Sequence, residues 1–279
     1  MDAFLAMLRR QLWETRWQLG ISALALFGFG WLFVFVTSMT EDRLRKAFEE
    51  GNVDGRMRVM SAMAGEGMDY SSAAIEMTGW LHPLILLPVV IWSLSRASIS
   101  PAGEIERGTL DLTLSRPTSR SSYLGGQLVV AAVGLALLVS ALVAGSIGAA
   151  RVHPIDTPPS ASALARPALN LAALGMVIYS YTILCSACDS VRWRPAMIGS
   201  VITLASFVVF VVVNLPVLAD WSWKPLLQHV TIFRAYNPVD AVGKATHLAF
   251  NVCLLLGLSA GAIVPAFLAF QWRDLPANG

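Results

Sequence analysis

Residues Ser122–Ala149 read SYLGGQLVVAAVGLALLVSALVAGSIGA, 28 positions without a charged side chain. As a helix rising 1.5 Å per residue the run reaches about 42 Å, against a bilayer hydrocarbon core of about 30 Å. Its apolar residues are continuous rather than alternating, so it is not a strand of a membrane barrel. In lipid only a helix satisfies its own backbone over such a length. The stretch predicts a transmembrane helix, bracketed by Arg120 and Arg151.

The same charge spacing recurs on both sides. Charge-free intervals predict spans at Leu19–Met39, Met77–Ser95, Pro167–Ala187, Pro195–Leu218 and Thr246–Phe270. With Ser122–Ala149 they make six transmembrane helices, an all-α polytopic membrane protein with both termini on one side. Composition agrees: 56% of the 279 residues are hydrophobic and 14% charged, where a soluble domain carries about 25% charged residues. A net charge of +2, with no basic run interleaved with aromatics, argues against a nucleic-acid partner. Pro83 and Pro88 should kink the second span and Pro216 the end of the fifth.

Residues 1–18 predict a separate amphipathic helix lying in the membrane interface. Phe4, Leu5, Leu8 and Leu12 recur at helical spacing, and Arg9, Arg10 and Arg16 lie elsewhere around the turn. No small-residue cleavage site follows the first apolar run, so no signal peptide is expected. The remainder, 19–279, is the transmembrane domain. Its loop Thr40–Ile75, broken by Gly51, Gly55, Gly65 and Gly67, reads as a small folded cap. The segment 219–245 holds Trp221, Trp223, Phe233 and Tyr236 and predicts an interfacial or re-entrant hairpin. With both ends inside, Lys and Arg divide ten and ten, so charge leaves the orientation open.

The polar segment 96–121 between the second and third spans carries the most information. Residues 101–120 read PAGEIERGTLDLTLSRPTSR. Glu104, Glu106 and Arg107 form a charged cluster, and Gly108 permits a turn or a close backbone approach. Leu110, Leu112 and Leu114 offer apolar contacts, Pro117 stops that element, and Thr118 or Ser119 can cap the next helix. A solvated connector with a helix cap would account for the same residues.

The run Glu106-Arg-Gly-Thr-Leu-Asp-Leu, followed by Leu114-Ser-Arg-Pro-Thr-Ser-Arg120, resembles the signature of ABC-2 type transporter permeases, membrane subunits of ABC exporters. Asp111 stands where that family usually has Glu, and Thr113 where it has Leu. The resemblance implies that 96–121 is a cytoplasmic coupling segment docking on a separate ABC-type ATPase, two copies of which serve the transporter. Glu104, Glu106, Arg107, Gly108 and Thr109 are then the contact and hinge positions. It further implies termini inside, 40–75 and 219–245 extracytoplasmic, a multi-pass protein of the cytoplasmic membrane, and a second permease copy, a homodimer being expected. No phosphate loop of the Gly-x-x-x-x-Gly-Lys-Ser/Thr form occurs, so the chain is not expected to be the ATPase. The resemblance implies that ATP and Mg are bound by the partner subunit, and that this chain needs no cofactor and catalyses no reaction itself. An ion-coupled secondary transporter is the alternative, disfavoured because the spans hold almost no ionisable groups. An intramembrane enzyme lacks any catalytic cluster.

Other candidates have plainer readings. Cys185 and Cys188 share a helical face and could bind a soft metal, but packing suffices, and Cys253 adds no third ligand. No histidine pair stands at metal-ligand spacing, and His82 beside Pro83 reads as a hydrogen-bonded interfacial residue. Gly257 with Gly261, and Ala141 with Gly145, allow close helix packing. Asn214 is an amide facing either a partner or the cavity. The aromatic and aliphatic walls of the first, second and fifth spans favour an amphipathic or apolar cargo.

Overall fold

The computed structural model describes residues 2–49, 79–115, 119–153, 160–215, 221–242 and 245–273, and these are helical with no strand among them. The long helices are α1 (Asp2–Glu49), α2 (Pro83–Ile99), α5 (Arg120–Val152), α6 (Ala161–Cys188), α7 (Trp193–Val213) and α10 (Leu248–Trp272). Between α2 and α5 lie two one-turn helices, α3 (Ala102–Glu106) and α4 (Leu110–Leu114). Between α7 and α10 lie α8 (Lys224–Val230), a 3-10 turn (Ile232–Ala235) and α9 (Pro238–Val242).

Five of the long helices are apolar enough and long enough to cross a bilayer. The sixth, α2, has 17 residues, at the lower end of the crossing range of about 17–25. The starts of α1, α5 and α7 and the ends of α2, α6 and α10 gather at one end of the bundle, here called the elbow end. Helix α6 is the axis: it packs against α2, α5, α7, α9 and α10. Helices α1 and α10 leave most of their apolar surface open on the outside. Buried hydroxyls such as Thr37, Ser93, Ser146 and Thr182 donate to their own helix one turn back, which satisfies them without a partner helix.

Several boundaries differ from the sequence expectation. The amphipathic residues 1–18 and the first span are not two elements: α1 runs unbroken from Asp2, because the single Gly20 between them costs only about 1 kcal/mol in a helix. It also continues through Glu49, into the expected loop; the rest of that loop, 50–75, lies outside the described residues. The buried stripe of its first turns is Met7, Gln11 and Thr15, whereas Leu8 and Leu12 are only half-buried; the side chains of Phe4 and Leu5 lie outside the described residues. Pro83 does not kink the second span. It occupies the first turn of α2, where the missing N–H costs nothing, behind an N-cap in which His82 Nδ1 accepts from Leu84 N at 3.2 Å. Pro88 is the proline inside that helix. Helix α7 ends at Val213, before Pro216, which lies outside the described residues. Asn214 follows the end of α7, where its Nδ2 donates to Phe210 O of its own helix at 2.7 Å.

The segment after α7 folds back into the bundle. Phe233 and Tyr236 are buried in the main core with Trp92, Leu171 and Leu174. Tyr236 Oη donates to Trp80 O at 2.7 Å. Asn170, fully buried on α6, anchors the turn: Nδ2 donates to Ala235 O at 2.9 Å and Oδ1 accepts from Asn237 N at 3.0 Å. Asn170→Leu leaves both backbone groups unpaired, at about 1–3 kcal/mol each. Thermal unfolding in detergent should show a midpoint lowered by several degrees, with Trp221 and Trp223 emission altered before the global transition. An unchanged midpoint would mean that the turn is held without this amide.

Candidate coupling site

The expected coupling residues occupy the elbow between α2 and α5. After Ile99 the chain turns at Ser100–Pro101, makes the single helical turn α3, and reverses at Gly108, whose φ of 66° is a conformation a side chain disfavours. Leu110 then buries its side chain against Ala97, Tyr123 and Phe270; the side chains of Leu112 and Leu114, and residues 116–118, lie outside the described residues. Ser119 Oγ accepts from Ser122 N at 3.1 Å and starts α5, as a capping serine does.

Each candidate residue has a distinct place. Glu106 is exposed, and its Oε2 accepts from Arg192 N at 2.9 Å, in the tight turn between α6 and α7. Arg107 is exposed. Thr109 and Gly108 are half-buried at the reversal, and Thr109 N donates to Glu104 O at 2.9 Å. Glu104 points inward: Gln127 Nε2 reaches its Oε1 at 3.5 Å. Burial holds its carboxyl above the usual carboxylate range, opposed by a hydrogen bond from Tyr123 and by Arg107.

The sequence reading missed the partners that fix this elbow. Arg96 served there as the boundary of the second span. Instead it lies inside α2, only 4% exposed, and its Nη2 donates to Gln127 Oε1 at 2.5 Å. Gln127 thus joins α2 and α5 to Glu104 of α3. Ser186 Oγ on α6 accepts from Ala102 N at 3.1 Å, and Ser100 and Tyr123 share a buried hydroxyl contact. Nearby, Arg273 Nη1 donates to Ala187 O at 3.1 Å and Asp189 O at 2.6 Å, and Arg120 Nη1 donates to Arg273 O at 2.7 Å. The elbow is therefore tied to four helices. A local signal did exist: residues 93–100 read SLSRASIS, a small polar run around Arg96 inside an apolar helix.

A family model described as ABC-2 family transporter protein matches residues 10–275, nearly the whole chain. The chain belongs to the ABC-2 transporter family. No curated protein matches it. As an ABC-2 family chain it is the membrane component of an ABC transporter, a multi-pass permease rather than the catalytic part. Among the described residues no group of three metal-ligating side chains forms, and Cys188 and Cys253 are exposed rather than packed inside the bundle.

Glu104 makes a pH prediction. An acid whose folded pKa lies above its unfolded value binds its proton more tightly in the folded state. It contributes stability below the unfolded pKa of about 4.3, and loses that contribution as pH rises through the folded value. Melting midpoints of the parent and Glu104→Gln, followed upward from about pH 4, should diverge in favour of the glutamine variant. Parallel curves would show that Glu104 does not feel its burial.

Proposed function

We propose that the chain is the permease of an exporter in the cytoplasmic membrane, driven by a separate ABC-type ATPase that docks on the 96–121 elbow. Two copies of each subunit complete the transporter, and ATP and Mg are held by the ATPase. The observation that carries this reading is the wiring of the elbow. Glu106 grips the α6–α7 turn, Ser186 holds Ala102, and Arg96 with Gln127 connects Glu104 to α2 and α5. Force applied at the exposed Arg107 edge is passed to the ends of four helices at once. Such a linkage moves helices as largely rigid bodies and opens a cavity to one side or the other.

In this reading Glu106, Arg107, Gly108 and Thr109 form the docking face, and Glu104 turns inward to transmit its movement. Charges at the rim set orientation and association rate, and the glycine reversal keeps the face thin enough for close contact. The cargo is proposed to be amphipathic or apolar, in keeping with the aromatic and aliphatic spans. An ion-coupled cycle gains no support from Arg96, since a guanidinium does not release its proton in the physiological range. Affinity purification of the full-length chain from its own membranes in mild detergent tests the assembly. An ATPase with a phosphate loop should co-purify at equal stoichiometry, two copies of each per particle. A chain that purifies alone from membranes still carrying out transport would refute it.

A further inference from the structure

At the elbow end a cavity of about 290 Å³ opens between the first turns of α1, the end of α2, the elbow and α5. Its wall holds three guanidiniums, Arg10, Arg96 and Arg107, against two carboxylates, Glu14 and Glu104. Arg10 and Glu14 satisfy one another at 2.7 Å. Arg96 has no carboxylate within 4.0 Å among the described residues, only the neutral Gln127, and its Nε has no hydrogen-bond partner. Gln11, 7% exposed, also lines the cavity with its Oε1 unpartnered, and a half-turn of the amide presents its Nε2 donor there instead.

A buried guanidinium with no carboxylate in direct contact is costly, and a planar fork with a free N–H is suited to an oxyanion. The cavity also sits at a telling depth. On the outside of α1, within two turns of Arg10, Trp13 and Trp17 are 67% and 72% exposed, and the Arg16 guanidinium lies 3.7 Å from the Trp13 ring centroid. Exposed tryptophans beside arginine mark the headgroup layer of a bilayer.

We propose that this cavity is a phosphate-binding site, in which Arg96 and Arg107 hold a phosphate group supplied by an anionic lipid headgroup or by free phosphate. Because its walls are α1 and the elbow, an occupied site braces the elbow against the first helix. The site therefore regulates how far the elbow moves. The claim concerns binding by this chain alone, so its failure leaves the proposed docking of an ATPase untouched.

The test is thermal unfolding of the full-length chain in neutral detergent, read by tryptophan emission. One arm titrates sodium phosphate against sodium chloride at matched ionic strength. The other compares micelles doped with phosphatidylglycerol and with phosphatidylcholine. A saturable rise in midpoint with phosphate identifies free phosphate as sufficient; a rise with phosphatidylglycerol only identifies the lipid. In either case Arg96→Gln should weaken the apparent affinity roughly tenfold or more, since it removes a charged hydrogen bond. Arg107→Gln and Gln11→Glu serve where Arg96→Gln does not fold, and each should weaken binding in the same direction. Midpoints insensitive to both phosphate and phosphatidylglycerol, as for a cavity holding water only, would overturn the proposal. So would variants that respond as the parent does.

Discussion

Gly145→Leu is expected to abolish the folded protein in detergent. Helices α1 and α5 make the most extensive helix contact in the bundle. A Cβ added at Gly145 would lie 2.2 Å from Phe27 O and 2.9 Å from Phe27 C, and both are backbone atoms that cannot swing aside. The approach is reciprocal: a Cβ at Gly30 of α1 would lie 2.6 Å from Leu142 O. The helices would have to separate along their crossing, losing the burial of Leu26 and Leu142. Overpacking costs about 1–3 kcal/mol where side chains can yield, and more where the backbone must. Size-exclusion yield and thermal midpoint are the measurements. Gly261→Leu is the control, since nothing lies within 4 Å of a Cβ there, and its folding stability should stay within about 0.5 kcal/mol of the parent. Equal tolerance at the two positions would contradict the α1–α5 packing.

The second large effect is expected at Arg96. Arg96→Glu puts a second carboxylate beside Glu104, so that the single Gln127 amide faces two acceptors and can turn its Nε2 to only one of them. An uncompensated buried charge costs about 3–5 kcal/mol. The variant should lack a cooperative transition at neutral pH. Combining it with Glu104→Gln removes one of the two like charges and should restore part of the loss. Arg96→Met, which removes the charge without adding another, should be far milder. A double variant no better than Arg96→Glu would show that Arg96 and Glu104 do not share the Gln127 relay.

Much of this architecture was legible in the residues. The charge-free intervals located α5, α6 and α10 because lipid excludes charge over a length set by the bilayer. Ser119 as a cap and Gly108 as a reversal were legible because capping and positive φ are properties of single residues. What escaped depends on contacts distant in sequence. Arg96 looked like a span boundary because the charge rule knows composition, not partners, and its partner Gln127 is 31 residues away. Asn170 meets Ala235 across 65 residues, and Glu106 meets Arg192 across 86, with no local trace in either. Pro83 was misplaced because a proline inside an apolar run and a proline at the first turn of a helix look alike until the preceding cap is known. The small pair at Gly145 and the one at Gly257 and Gly261 read identically, yet one seats a neighbouring backbone and the other faces outward.

In the proposed function the exposed edge of the elbow is where the motor holds the permease. Arg107 is exposed and stands outside the hydrogen bonds that join Arg96, Gln127 and Glu104, and measuring in neutral detergent without phosphate keeps the proposed phosphate site from contributing. Arg107→Ala, alone and with Glu106→Ala, should be purified and titrated with the ATPase subunit, with ATP-driven transport followed in proteoliposomes. Arg107→Ala should keep a folding stability within about 0.5 kcal/mol of the parent and bind the ATPase roughly tenfold or more weakly, and the double variant should lose transport. Unaltered ATPase affinity and unaltered transport in the double variant would contradict the proposed docking.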